Sequence, residues 1–335
     1  MNLSYDQIVT ITQGVVYLEK CSDGIRFHRF TAEQEAYYAG SQFHPKEKAT
    51  AGVRMCFRTN STTLGLKVRV EKGSTRDYFS HDVLVNGRLI GYLGNFNEED
   101  MVGNYADLKV PMGVFEGKFN LGLGQKEVCI HLPWSVCSIL QELSLDDGAF
   151  LEPVKKSKKL IAFGDSITQG YDSLHPSNRY IAQLSDAMDA EEACKAIGGE
   201  CFCPKLVKLH DNITPDYITV AYGTNDWRKT SLEDFKRRCR EFFEELVHVY
   251  PNAEIFVITP IWRKDCLEEY SCGLFDDMEI IIRNITKNYD NITCISGRKA
   301  VPEDENMYGD LRLHPNDKGF LHYYKSIVDE VLKNV

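Results

Sequence analysis

Residues 158–170 read K-K-L-I-A-F-G-D-S-I-T-Q-G, an apolar run that breaks at Gly164 into a short polar turn carrying Ser166. Leu160 to Phe163 is too short for a helix and reads as a strand. Similar runs follow at Ala193 to Ile197, Tyr217 to Ala221, Glu254 to Thr259 and Ile292 to Ile295, and amphipathic segments separate most of them. The clearest of these predicts a helix from Ser231 to Val249. Thr230 with Glu233 makes a capping box there, and Phe235, Cys239, Phe242, Leu246 and Val249 share one face. Strand and helix in alternation predict an α/β domain, a doubly wound parallel sheet with helices on both faces. Ligands of such sheets gather at the carboxyl ends of the strands, where the turn with Ser166 lies.

Upstream of Lys155-Lys156-Ser157-Lys158-Lys159 the period changes to two. Leu64, Leu66, Val68 and Val70 alternate with Gly65, Lys67 and Arg69, and Val128, Ile130 and Leu132 alternate with Cys129 and His131. Each pattern points one apolar face inward. Asn86-Gly87 between Val83-Leu84-Val85 and Leu89-Ile90 predicts a hairpin, because a type I′ turn needs two residues that tolerate positive φ. Further strands are expected at Val53 to Phe57 and Phe119 to Leu123, which together predict an antiparallel β-sandwich or jelly roll. A chain of 335 residues exceeds what one core usually serves. The expected division is 1–152 for the β-sandwich and 153–335 for the α/β domain.

Four strand ends of the second half carry chemistry. Ser166 stands after the first, where amides at the start of the following helix favour a developing negative charge. Gly198-Gly199 follows the second, and without side chains it lets a backbone N–H approach a reacting carbonyl oxygen. Asn225, in Gly223-Thr224-Asn225-Asp226 after the third, offers a side-chain N–H to the same oxygen. His314 lies after the fifth, just before Pro315. A nucleophile, two oxyanion donors and a base form the set that acyl transfer requires. Asp165 is assigned to structure, bonding loop amides. His175 and His210 are the competing bases. Tyr222, Trp227 and Trp262 follow strand ends and are candidates to line an acyl or sugar pocket, with ordinary packing the alternative.

In these four blocks, residues 158–335 resemble the SGNH (GDSL) hydrolase family. Ser166 matches the serine of its G-D-S block, Gly199 its second-block glycine with Gly198 as fallback, Asn225 its G-x-N-D asparagine and His314 its last-block histidine. A β-sandwich followed by such a domain also resembles carbohydrate esterase family two. The resemblance implies an ester hydrolase working through an acyl-enzyme on Ser166. His314 would be its general base, and the amides of Ser166 and Gly199 with the Asn225 side chain its oxyanion hole; no metal or organic cofactor is required. A short acyl group, acetyl above all, on a carbohydrate or small molecule is the implied substrate. A short-chain lipase or thioesterase and a catalytically silent carbohydrate-binding protein are the alternatives. The family places its triad acid three residues before the histidine, where this chain has Leu311. Asp310 is the expected substitute, reached by bulging the loop. Glu303, Asp304 or Glu305, or a backbone carbonyl serving a Ser-His dyad, are the other routes.

Composition narrows the setting. A formal net charge of −10 argues against nucleic acid and anionic membrane as partners. The first residues lack a basic n-region and an apolar h-region, and no apolar run is long enough to span a bilayer, so a cytoplasmic location is expected. Eleven cysteines without any C-x-x-C pair suit reduced thiols. A metallophosphoesterase built on Asp165, Asn225 and His314 lacks a second histidine or carboxylate block with metal spacing.

Overall fold

The computed structural model describes residues 1–333. Its N-terminal part is two antiparallel sheets packed face to face. One runs Thr12–Gln13, Arg54–Thr59, Lys126–His131, Ser80–Val85 and Arg88–Gly94, with Glu152–Pro153 added beside Arg54–Thr59. The other runs Tyr17–Cys21, Gly24–His28, Val136–Leu145, Thr63–Lys72 and Gly113–Asn120. Alternate residues meet between them: Met55, Phe57, Val128 and Ile130 from the first sheet, and Leu64, Leu66, Val68 and Val70 from the second. The expected hairpin is present, with Asn86 and Gly87 at φ 48° and 75° joining Val85 to Arg88. The strand expected at Phe119 to Leu123 instead spans Gly113–Asn120, since Gly122 and Gly124, both at positive φ, turn the chain away.

The C-terminal sheet is wholly parallel, in the spatial order Ala190–Cys194, Lys158–Gly164, Tyr217–Ala221, Glu254–Ile258 and Ile292–Ile295. Tyr180–Ala187 packs with Asp317–Leu332, while Leu232–Val249 packs with Pro204–Lys208 and with Asp277–Thr286. This is the expected doubly wound arrangement. The strand order reverses between Lys158–Gly164 and Tyr217–Ala221, which opens a crevice where Ser166 and Asn225 emerge.

Three further expectations change. The second strand lies at Ala190–Cys194, three residues before the apolar run at 193–197, because the buried Glu192 is neutralised by Arg179, whose two terminal nitrogens lie 3.0 and 2.8 Å from its carboxylate. The long helix is capped by Ser231, whose hydroxyl accepts from Asp234 N, and not by Thr230, whose hydroxyl donates back to Asp226 O. Cys56 and Cys129 stand directly opposite each other in paired strands and form a disulfide, so reduced thiols do not describe this pair. Among the described residues no helix is long and apolar enough to cross a membrane.

Buried charge joins the two parts. Arg54 contacts Asp186 at 2.7 Å and Ala190 O at 3.0 Å. Arg76 meets Asp172, and Asp82 receives His175 Nδ1 at 2.8 Å and Ser177 N at 3.0 Å. Phe30 and Tyr38, from the N-terminal part, complete the core beneath the parallel sheet.

Candidate active site

Ser166 is the first residue of a short helix, Ser166–Gln169, capped by Asp165, whose carboxylate accepts from Ile167 N at 2.9 Å. Burial pushes the Asp165 carboxyl up to about 6, against the Ile167 amide, which lowers it. Ser166 N, at the first helical position, has no partner within its own helix.

His314 Nε2 lies 2.8 Å from Ser166 Oγ, and His314 Nδ1 lies 2.6 Å from Asp310 Oδ2. The extra residue between acid and base is absorbed by Leu311, which takes the left-handed conformation at φ 56°. That turn aims the amides of Arg312, Leu313 and His314 at Asp310 Oδ1, at 3.0, 2.7 and 3.0 Å. Burial opposes the charge on Asp310, but the His314 charge and hydrogen bond and these amides hold its carboxyl well below the usual range. An ionised Asp310 requires the proton on His314 Nδ1, which leaves Nε2 to accept from Ser166.

The glycine turn sits beside the serine turn. Ile197 N donates to Gly164 O at 3.1 Å, and Gly198 N donates to Gln169 Oε1 at 2.7 Å. The Gly198 amide is therefore occupied, which leaves Gly199, at φ 89°, as the candidate donor of this turn. Asn225 spends one side-chain hydrogen on Glu200 O at 3.1 Å and keeps its second for another acceptor.

Of the pocket candidates, Tyr222 is buried with its hydroxyl 2.9 Å from Glu200, and Trp227 is fully buried with its indole N–H on Gly273 O. Trp262 packs on Tyr308. These three are core residues. His175 is drawn into the charge cluster between the two parts: burial resists its charge, but Asp82, Asp317 and Glu98 lift its pKa to about 9. It is a cation there and cannot act as a base near neutral pH. His210 bonds Asp211 O, in the loop before the Tyr217–Ala221 strand, at the opposite edge of the sheet from Ser166.

Sequence reasoning missed the groups that surround His314. The Tyr171 ring lies 5.2 Å from the imidazole and is backed by Trp134. Asp172, fully buried, lies 3.8 Å from His314 Nδ1. Arg76 grips this carboxylate at 2.7 and 3.0 Å, and the Tyr78 hydroxyl donates to it at 2.8 Å. Asp172, Asp310 and His314 cluster closely enough to suggest a cation site. Their lone pairs are instead met by a guanidinium, a phenol and three backbone amides, a donor set that suits hydrogen bonding better than a metal.

Residues 162–320 match the GDSL-like lipase/acylhydrolase family. The match covers just under half of the chain, and this stretch is similar to that family. It supports ester hydrolysis as the general activity. No curated protein matches the chain by sequence. The whole two-part architecture recurs in a salicylyl-acyltransferase, SsfX3, from a tetracycline biosynthetic pathway, with 20% identity and a TM-score of 0.78 over 96% of this chain and 94% of that one. It also recurs in a GDSL-like lipase described as putative from Bacteroides ovatus, with 19% identity and a TM-score of 0.75 over 99% and 98% of the two chains. The acetyl xylan esterase Est2A of Butyrivibrio proteoclasticus shares the fold at 14% identity and a TM-score of 0.61, over 100% and 97%. At these identities the likeness is one of fold, and it covers the β-sandwich as well as the GDSL-like domain.

Proposed function

We propose that the protein is a serine ester hydrolase that removes short acyl groups, acetyl foremost, from a carbohydrate or other small molecule. The observation that carries this is the hydrogen-bonded chain from Ser166 Oγ through His314 to Asp310, at 2.8 and 2.6 Å. His314 Nε2 takes the hydroxyl proton as Oγ attacks the ester carbonyl. The amides of Ser166 and Gly199 and the second Asn225 hydrogen hold the oxyanion, and the protonated imidazole then passes its proton to the leaving alcohol. Water repeats the sequence on the acyl-enzyme. The acetyl preference is supported by the fold shared with an acetyl xylan esterase and by the lack of an apolar lid segment in the sequence.

The test is hydrolysis of p-nitrophenyl esters of increasing chain length beside acetylated sugars, together with labelling by a fluorophosphonate. Wild-type protein is expected to be labelled at Ser166 and to prefer acetate, and Ser166→Ala to lose both label and turnover. Undiminished turnover in Ser166→Ala overturns the mechanism. Faster cleavage of a twelve-carbon ester than of acetate overturns the acyl preference alone.

A further inference from the structure

The second oxyanion donor is a backbone amide in a glycine turn, a poor place to expect rigidity. Its neighbours supply it. Lys46, from the N-terminal part, donates from Nζ to Gly198 O at 2.6 Å, and Lys229 donates to Gly199 O at 2.6 Å. A Cβ placed on Gly199 would stand 3.4 Å from the Lys229 nitrogen and 3.5 Å from that of Lys46. Each ammonium is thus set against a backbone carbonyl of the turn. Burial and the Lys229 charge push the Lys46 ammonium down, with Glu200 opposing them. Two cations on one turn, in a chain of net charge −10, need a purpose.

Lys46 does not reach the turn by chance of a flexible side chain. Arg29, 2% exposed, donates to Lys46 O at 3.0 Å and Ala49 O at 2.7 Å on one side. On the other it donates to Cys194 O at 3.0 Å and Ala196 O at 2.9 Å, in the segment that leads into Gly198. One guanidinium thus fastens the backbone that carries Lys46 to the backbone that carries the glycine turn.

The peptide from Gly198 to Gly199 is trans and planar, so its C=O and N–H point in opposite directions. We propose that Lys46 is a positioning residue for the oxyanion hole: by holding the Gly198 carbonyl it fixes the direction of the Gly199 N–H. The ammonium also polarises that same peptide, which strengthens its N–H as a donor. Lys229 binds the carbonyl of the following peptide and has no such hold on the Gly199 N–H. This rests on the oxyanion role given to Gly199 above.

The experiment compares Lys46→Met, Lys46→Arg and Lys229→Met in the full chain, using p-nitrophenyl acetate and a trifluoromethyl ketone that adds to Ser166 and places an oxyanion in the hole. Losing a direct oxyanion donor costs about 10² to 10³ in kcat, and a group acting through that donor is expected to cost roughly 10 to 100-fold. Lys46→Met should therefore lower kcat by that factor with KM within about twofold, and raise the ketone Ki by the factor lost in kcat/KM. Lys46→Arg, which keeps a cationic donor, should recover part of the loss. Lys229→Met should lose less than about threefold. Ki and KM do not depend on how much of a preparation is folded, so a destabilised variant still reports. Wild-type kcat and Ki in Lys46→Met, or equal losses in Lys46→Met and Lys229→Met, overturn the proposal. Failure of the fluorophosphonate to label Ser166 instead overturns the acyl-enzyme mechanism, so the two failures are separate.

Discussion

Asp310→Asn removes one charge and, through geometry, reverses a tautomer. Three amide hydrogens converge on Oδ1 at 2.7 to 3.0 Å, so the asparagine oxygen must stay there and its NH2 must replace Oδ2. That NH2 faces His314 Nδ1 across 2.6 Å, where it can only donate. Nδ1 then has to be unprotonated, and the ring proton moves to Nε2, which can no longer accept from Ser166. Turning the amide over to restore the tautomer forfeits three hydrogen bonds of about 1 kcal/mol each and sets the NH2 against three donors. Loss of the carboxylate beside the imidazolium adds about 1 to 2 kcal/mol more. The sum, about 4 to 5 kcal/mol, corresponds to a fall in kcat of roughly 10³ to 10⁴. The same substitution in a serine protease triad costs about 10⁴ for the same reason. Steady-state kcat on p-nitrophenyl acetate, with His314→Ala as the floor and a melting curve to show folding, measures it. A loss under about tenfold, roughly 1.4 kcal/mol, would remove Asp310 from the catalytic set and leave a Ser-His dyad.

Two further outcomes follow from the surroundings of the site. The folded pKa of His175, about 9, lies above its unfolded value, so its contribution is complete below about pH 6.5 and is lost as pH rises through 9; this amounts to about 3 kcal/mol. The melting temperature should fall across that window by several degrees more in wild type than in His175→Gln, and parallel curves would refute the assignment. Gly198→Ala brings a Cβ within 2.6 Å of the hydroxyl of Tyr171, which is wedged between Trp134 and His314 and cannot step aside. The overpacking should cost about 1 to 3 kcal/mol of stability and lower kcat at least tenfold; a fully active, equally stable variant would show that the turn has more room.

What was legible in the chain is what is local. Ser166 and Asn225 each sit in a short motif at the end of an apolar run, His314 sits in a short motif just before a proline, and the two periods of hydrophobicity separate sandwich from parallel sheet. Asp310 needed one more step, since Leu311 occupies the usual place of the acid and only a left-handed turn at that leucine lets its neighbour reach the imidazole. The Ala190–Cys194 strand was disguised because Glu192 looks like a surface residue until Arg179 is found against it. Cys56 and Cys129 are 73 residues apart, and only strand register brings them together. Lys46, Arg76 and Tyr78 could not be found at all by motif, because they reach the site across the join between two parts of the chain.

That join acts at both ends of the reaction site. At one end Arg76 and Tyr78 lock Asp172 next to His314; at the other, beside the proposed oxyanion hole, Arg29 fastens the backbone of Lys46, whose ammonium meets Gly198 O. The join has apolar contacts as well, among them Trp134 with Tyr171 and Phe30 in the core beneath the parallel sheet, but apolar burial is non-directional. A guanidinium donates along fixed vectors, and Arg29, Arg54 and Arg76 each make two hydrogen bonds to partners on the far side of the join. Three such forks determine a rigid-body orientation, because each fixes both a position and a plane. Catalytic groups lose rate when displaced by about an ångström, so truncating the chain to residues 156–335 is expected to lower kcat as well as stability, and a truncated chain with full kcat would refute a part for the β-sandwich in the site.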